Sequence, residues 1–134
     1  MNITLILLII FPLVIIFWIF TVIKFSKSRK LSKKKRLFLV QNLKKILAHS
    51  DSKTIIIDLD KLYHKILLAI WHTGTFGEIL KSNPKEIRDL NTIWELHKIR
   101  NKLVHDFSSL SESVLKKKGN EYKKEVETLF KKVS

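Results

Sequence analysis

Cysteine does not occur in this chain, so neither a disulfide framework nor a cysteine zinc site can be built, and its absence suits a reducing cytoplasm. Glycine occurs three times and proline twice in 134 residues. With so few turn formers, and no segment that alternates convincingly as a strand, the chain reads as all-α. There is no glycine-rich loop to cradle a phosphate and no nucleophile, base and acid constellation. Charge is missing too: Ile3 to Ile23 contains no Asp, Glu, Lys, Arg or His. At about 1.5 Å rise per residue, a helix of that length spans roughly the 30 Å hydrocarbon layer of a bilayer. A single transmembrane anchor over residues 1–23 is the expectation. A cleaved signal peptide would need a basic leading region, an apolar core of about 7 to 15 residues and a small-residue cleavage site, and this stretch has none of them. Pro12 falls mid-span, where transmembrane helices tolerate it.

The charge that is present is mostly positive. Lys and Arg number 26 against 12 Asp and Glu, for a formal net charge of +14. Every basic residue follows residue 23, and Lys24, Lys27, Arg29, Lys30, Lys33, Lys34, Lys35 and Arg36 crowd into residues 24–36. The positive-inside rule then places the short N-terminus outside the cell membrane and the C-terminal domain in the cytoplasm. This basic juxtamembrane segment serves first as a stop-transfer and orientation signal. It can also adhere to anionic lipid headgroups, at about 1 kcal/mol per cation near the surface. Residues 37–134 carry an excess of only +6, so more than half of the net charge reflects topology and not a nucleic-acid surface.

Residues 37–134 read as one cytoplasmic domain of four helices with short connections, a compact bundle. A stripe of Leu37, Val40, Leu43 and Leu47 predicts a helix from Lys33 to His49, and Ser50, Asp51 and Ser52 offer caps for the next. That second helix is expected over Lys53 to His72, with Ile55, Leu59, Leu62, Tyr63, Ile66, Leu67 and Ile70 inward. Gly74 and Gly77 break the pattern before a short helical piece through Ile79 and Leu80. A third long helix starts near Pro84 or Asn91 and runs to Phe107. Ser109 and Glu112 have capping-box spacing before a last helix through Leu115, Tyr122, Val126, Leu129 and Val133, which Gly119 weakens without ending.

The third long helix carries "WELHKIRNKLVHD", residues 94–106. On a wheel of about 100° per residue, Arg100 falls between Phe107 and Ile93, well inside an apolar arc of roughly 200° that also takes in Val104. His97, Asn101 and His105 follow at i, i+4 and i+8 along one edge. A guanidinium keeps its proton at any ordinary pH, so an inward arginine needs a partner or a wet groove. Three arrangements meet that need. One is a salt bridge to Asp58, Asp60 or Glu78 on a neighbouring element, another is a subunit interface, and the third is an anion site where a planar fork meets phosphate oxygens beside a titratable imidazole.

No cofactor is implied. Among His49, His64, His72, His97 and His105 no pair stands at i, i+3 or i, i+4, so no metal site is expected. His64 and His72 read as half-exposed surface residues. Trp71 and Trp94 suit core or rim packing, and Trp18 suits the anchor.

Arg100-Asn101-x-x-x-His105 resembles the R-[polar]-x-x-x-H signature of HEPN domains, small all-helical bundles many of which are metal-independent ribonucleases. The segments "DLDKLYHKILLAIWHTGTFGEIL" and "IWELHKIRNKLVHD" look like those of small bacterial membrane-anchored proteins with a HEPN-like cytoplasmic domain, a similarity covering about residues 33–132. The resemblance implies RNA as partner, a homodimer, and an endoribonuclease whose RNA 2′-hydroxyl attacks its own phosphate. Arg100 would then stabilise the charged phosphorane, His105 would be general acid or base, and Asn101 would orient phosphate or imidazole. On an ideal helix Arg100 and His105 point about 140° apart, so such chemistry needs a dimer or a distorted helix. Composition alone leaves a second class open, a non-catalytic interaction or dimerisation module tethered to the membrane.

Overall fold

The computed structural model describes residues 3–26, 30–105 and 110–134, with side chains of the first helix described over residues 10–22. Among these residues there are six helices and no strand, in keeping with an all-α chain. Helix α1 (Ile3–Ser26) is apolar and contains Pro12. Its described side chains cover about 20 Å of helix. Within the described residues no helix is long and apolar enough to cross a membrane.

Helix α2 (Lys33–Leu47) turns most of the expected stripe inward, with Leu43 buried and Val40 and Leu47 half-buried against the core. Leu39 and Leu43 are buried and Ile46 half-buried, at i, i+4 and i+7, whereas Leu37 is 58% exposed. Leu37 and Leu39 each stand at helical spacing from other apolar residues of α2, and only contact with the next helix selects Leu39. Helix α3 (Ser52–Ala69) starts at Asp51, whose carboxylate accepts from the backbone N–H of Lys53 and Thr54. The Thr54 hydroxyl and then its N–H hold the Asp51 carboxyl below its ordinary value.

Helix α3 ends at Ala69, short of the expected His72, in a Schellman motif: Trp71 N–H donates to Leu68 O at 3.1 Å and His72 N–H to Leu67 O at 3.2 Å. Trp71 takes the left-handed position, φ 76°, that glycine usually fills. The same turn sends its ring outward, 75% exposed, so Trp71 is not a core residue, whereas Trp94 packs half-buried against the core.

Helix α4 (Phe76–Lys81) is the short piece, α5 is Leu90–His105 and α6 is Glu112–Val133. Asp89 fixes the start of α5, accepting from Thr92 N–H at 3.0 Å and Thr92 Oγ1 at 2.9 Å. The expected capping box of α6 depends on Ser109, which with Phe107 lies outside the described residues. Glu112 accepts from Ser52 Oγ at 2.6 Å, tying α6 to the start of α3.

α3 packs against α2, α5 and α6, and α5 also meets α6. Ile56, Leu59, Ile66 and Leu67 of α3 are fully buried. The chain entering α2 is pinned by Leu31 N–H, which donates to Val133 O at 2.7 Å. Gly119 lies inside α6 with room to spare, since a Cβ there would sit 3.9 Å from Ile55 Cγ2 and Ile56 Cγ1, ordinary van der Waals contact. Gly119→Ala should therefore raise stability by about 0.5–1 kcal/mol, through reduced backbone freedom of the unfolded chain and better helix propensity. Urea denaturation checks this, and a lower midpoint would mean that α3 and α6 leave no room for the added methyl.

Candidate functional site

Position 60 of α3 repeats at helical spacing with Ile56, Tyr63 and Leu67, so its side chain is carried into the core; yet it is an aspartate, 3% exposed. A carboxylate there must be matched by donors from every neighbouring helix. Tyr122 of α6 donates its hydroxyl to Asp60 Oδ1 at 2.8 Å. His97 of α5 reaches the same oxygen through Nδ1 at 2.8 Å. Arg100 Nε stands 3.4 Å from Oδ2, an ion pair without a hydrogen bond, and is the buried side-chain nitrogen lacking a hydrogen-bond partner among the described residues.

Asn101 closes the set. Arg100 Nη1 donates to Asn101 Oδ1 at 2.9 Å, and Asn101 Nδ2 lies 3.3 Å from His97 Nε2. A carboxylate only accepts, so His97 donates from Nδ1, and its bare Nε2 then accepts from the amide whose oxygen Arg100 has fixed. Asp60, His97, Asn101 and Arg100 thus form one ring, with each hydrogen bond in it running from donor to acceptor. Phe76 packs edge-on against His97, ring centroids 4.8 Å apart, and holds the imidazole from the α4 side. Burial first, then the Asp60 charge and hydrogen bond, push the Tyr122 phenol well above its ordinary value.

Outside the ring lies a groove of about 420 Å³ between α3, α4 and the middle of α5, with Arg100, Asn101, His97, His64 and Lys61 on its walls. The far wall depends on Gly74, whose φ of +101° leads into Thr75, the N-cap of α4. Thr75 and Glu78 cap each other, and the Thr75 N–H and hydroxyl keep the Glu78 carboxyl below its ordinary value. His64 donates from Nε2 to Gly74 O at 3.1 Å, because a carbonyl can only accept, and stacks on Phe76 with 5.4 Å between centroids.

Of the three carboxylates within sequence reach of Arg100, only Asp60 meets it. Asp58 pairs with Lys61 at 3.0 Å, and Glu78 is spent on the cap. Arg100 and Asn101 line the groove together, whereas His105, exposed at the C-terminal end of α5, does not. The buried residues of α5, Ile93, Leu96 and Leu103, span only about 80° of the wheel, and Val104 is 48% exposed.

The residue that sequence reasoning passed over is His64, read as an ordinary surface side chain. Its signal was present: His64 is i+4 from Asp60, on the same side of α3, and faces the turn at Gly74. No group of His, Asp or Glu among the described residues is arranged to hold a metal ion. Compared with models of known families, with curated proteins and with solved structures, the chain matches none.

Proposed function

We propose that the chain is a single-pass membrane protein whose cytoplasmic, HEPN-like domain binds RNA in the groove between α3, α4 and α5. The observation that carries this reading is Arg100, braced from behind by buried Asp60 and open to the groove beside two imidazoles and Lys61. A planar cation in that setting suits a phosphodiester oxygen pair. The tether is α1: Phe11, Phe17, Trp18 and Phe20 are large, apolar and exposed around a helix without a polar face, as on an element that belongs in lipid. If the domain also cuts RNA, the metal-independent reaction needs His105 of a second copy to approach Arg100 and Asn101, because His105 stays outside the groove of its own chain.

A second reading, a non-catalytic interaction or dimerisation module, is favoured by the closure of the polar ring within one chain. Arg100 there is a cross-tie between α5 and α3.

The full chain in lipid nanodiscs, with EDTA present, separates the two. RNA binding that weakens about tenfold or more in Arg100→Ala, a change of about 1.4 kcal/mol, and persists in Arg88→Ala supports the RNA groove. Cyclic phosphate ends that vanish in His105→Ala add the ribonuclease. If wild type neither binds nor cleaves RNA and Arg100→Ala only lowers the unfolding midpoint, the cross-tie is its whole role.

A further inference from the structure

The exposed face of α2 combines features that the polar groove does not use. With buried Leu39 taken as pointing inward, Phe38, Lys45, Lys34, Gln41, Leu37 and Lys44 fill the outer arc, from about −100° through 180° to about +140°. Leu37 is 58% and Phe38 60% exposed on this arc. Trp71 borders the arc at its Phe38 edge, since Lys35, at about −40° on the same wheel, places Nζ 5.8 Å from its ring centroid. One turn before Trp71, Leu68 is exposed as well. The backbone that holds Trp71 outward is left-handed, which costs about 1 kcal/mol relative to glycine.

We propose that this face lies on the surface of an anionic bilayer, so that the domain is laid against the membrane through Leu37, Phe38 and Trp71. The charge pattern selects that occupant. Residues 1–50 contain ten Lys and Arg and no Asp or Glu, so no carboxylate of α2 repels a lipid phosphate. Lysines beside apolar side chains on one helix face, with a tryptophan at headgroup depth, are the composition of an interfacial contact. Continuity adds to this: residues 27–32, a link of at most about 25 Å, separate α1 from α2. The geometric part rests on the reading of α1 as a tether.

Two full-length single-tryptophan chains test the face and the tether separately, each reconstituted in phosphatidylcholine vesicles with or without about one third phosphatidylglycerol and with brominated acyl chains. With Trp18 and Trp94 replaced by Phe, Trp71 should be quenched about twofold in the anionic vesicles and shielded from aqueous iodide, and Leu37→Ser with Phe38→Ser should abolish both effects. Trp71 emission that is equally open to iodide in both vesicles overturns the docking face, as does a response to soluble RNA but not to anionic lipid. With Trp71 and Trp94 replaced instead, Trp18 should be quenched in both vesicles. An unquenched Trp18 overturns the tether, and the Trp71 result still decides the α2 face.

Discussion

Asp60→Ala is expected to cost the domain about 3–5 kcal/mol, the range for removing one partner of a buried charge set, and to move its urea midpoint by more than any other single polar substitution. The carboxylate takes hydrogen bonds from Tyr122 and His97 and faces Arg100, so its loss strands three groups from two helices at once. Asp60→Asn should cost less, since an amide oxygen still accepts from the tyrosine, but its NH₂ opposes one of the remaining donors. The coupling is measurable: Asp60→Leu combined with Arg100→Met should recover much of the loss, because a matched apolar pair leaves no orphaned charge. If the double variant is no better than Asp60→Leu, Arg100 does not depend on Asp60 and the ring is not a unit.

Stability should also collapse at alkaline pH, and faster than exposed tyrosines would allow. Burial is the first cause raising both Tyr63 and Tyr122 above the ordinary phenol value of about 10, with Glu125 adding to Tyr63 and Asp60 to Tyr122. Both phenols therefore stay protonated in the folded chain when the unfolded chain has begun to ionise. Their contribution is complete below about pH 10, and is lost as pH rises toward the folded values, at about 1.4 kcal/mol per pH unit per tyrosine. Two such groups together lose roughly 2.7 kcal/mol between about pH 9 and about pH 11, and Lys118, raised by its hydrogen bonds to Glu95 and Glu121, steepens the loss further. Denaturation followed by Trp94 fluorescence from about pH 9 to about pH 11 measures the slope, and Tyr122→Phe should cut the tyrosine share by half. A flat profile over that interval would mean that the phenols are open to solvent.

Much of the fold was legible because helices are written in local rules. Few glycines and prolines, carboxylates such as Asp51 before helix starts, and the spacing of Leu59, Leu62, Ile66 and Ile70 all act within a turn or two of chain, so order and type of the long helices followed from the sequence. Ends and faces were less legible. Leu37 and Leu39 both belong to acceptable stripes, and α3 ends early because Trp71 accepts a conformation usually left to glycine. Likewise the hydrogen bond from Ser52 to Glu112 joins residues 60 apart in the chain, which no local rule anticipates.

The candidate site divides along the same line. The sequence by itself determined that Arg100 sits inside an apolar arc with Asn101 beside it and His97 on the edge, because a helix fixes angles between residues of one element. Which of Asp58, Asp60 and Glu78 answers the arginine, whether His64 or His105 shares its groove, and how Tyr122 joins from α6 were decided only by the packing of α3, α4, α5 and α6. The physical reason is reach. A side-chain hydrogen bond acts over about 3 Å, so pairings between elements exist only once tertiary contacts have brought those elements together.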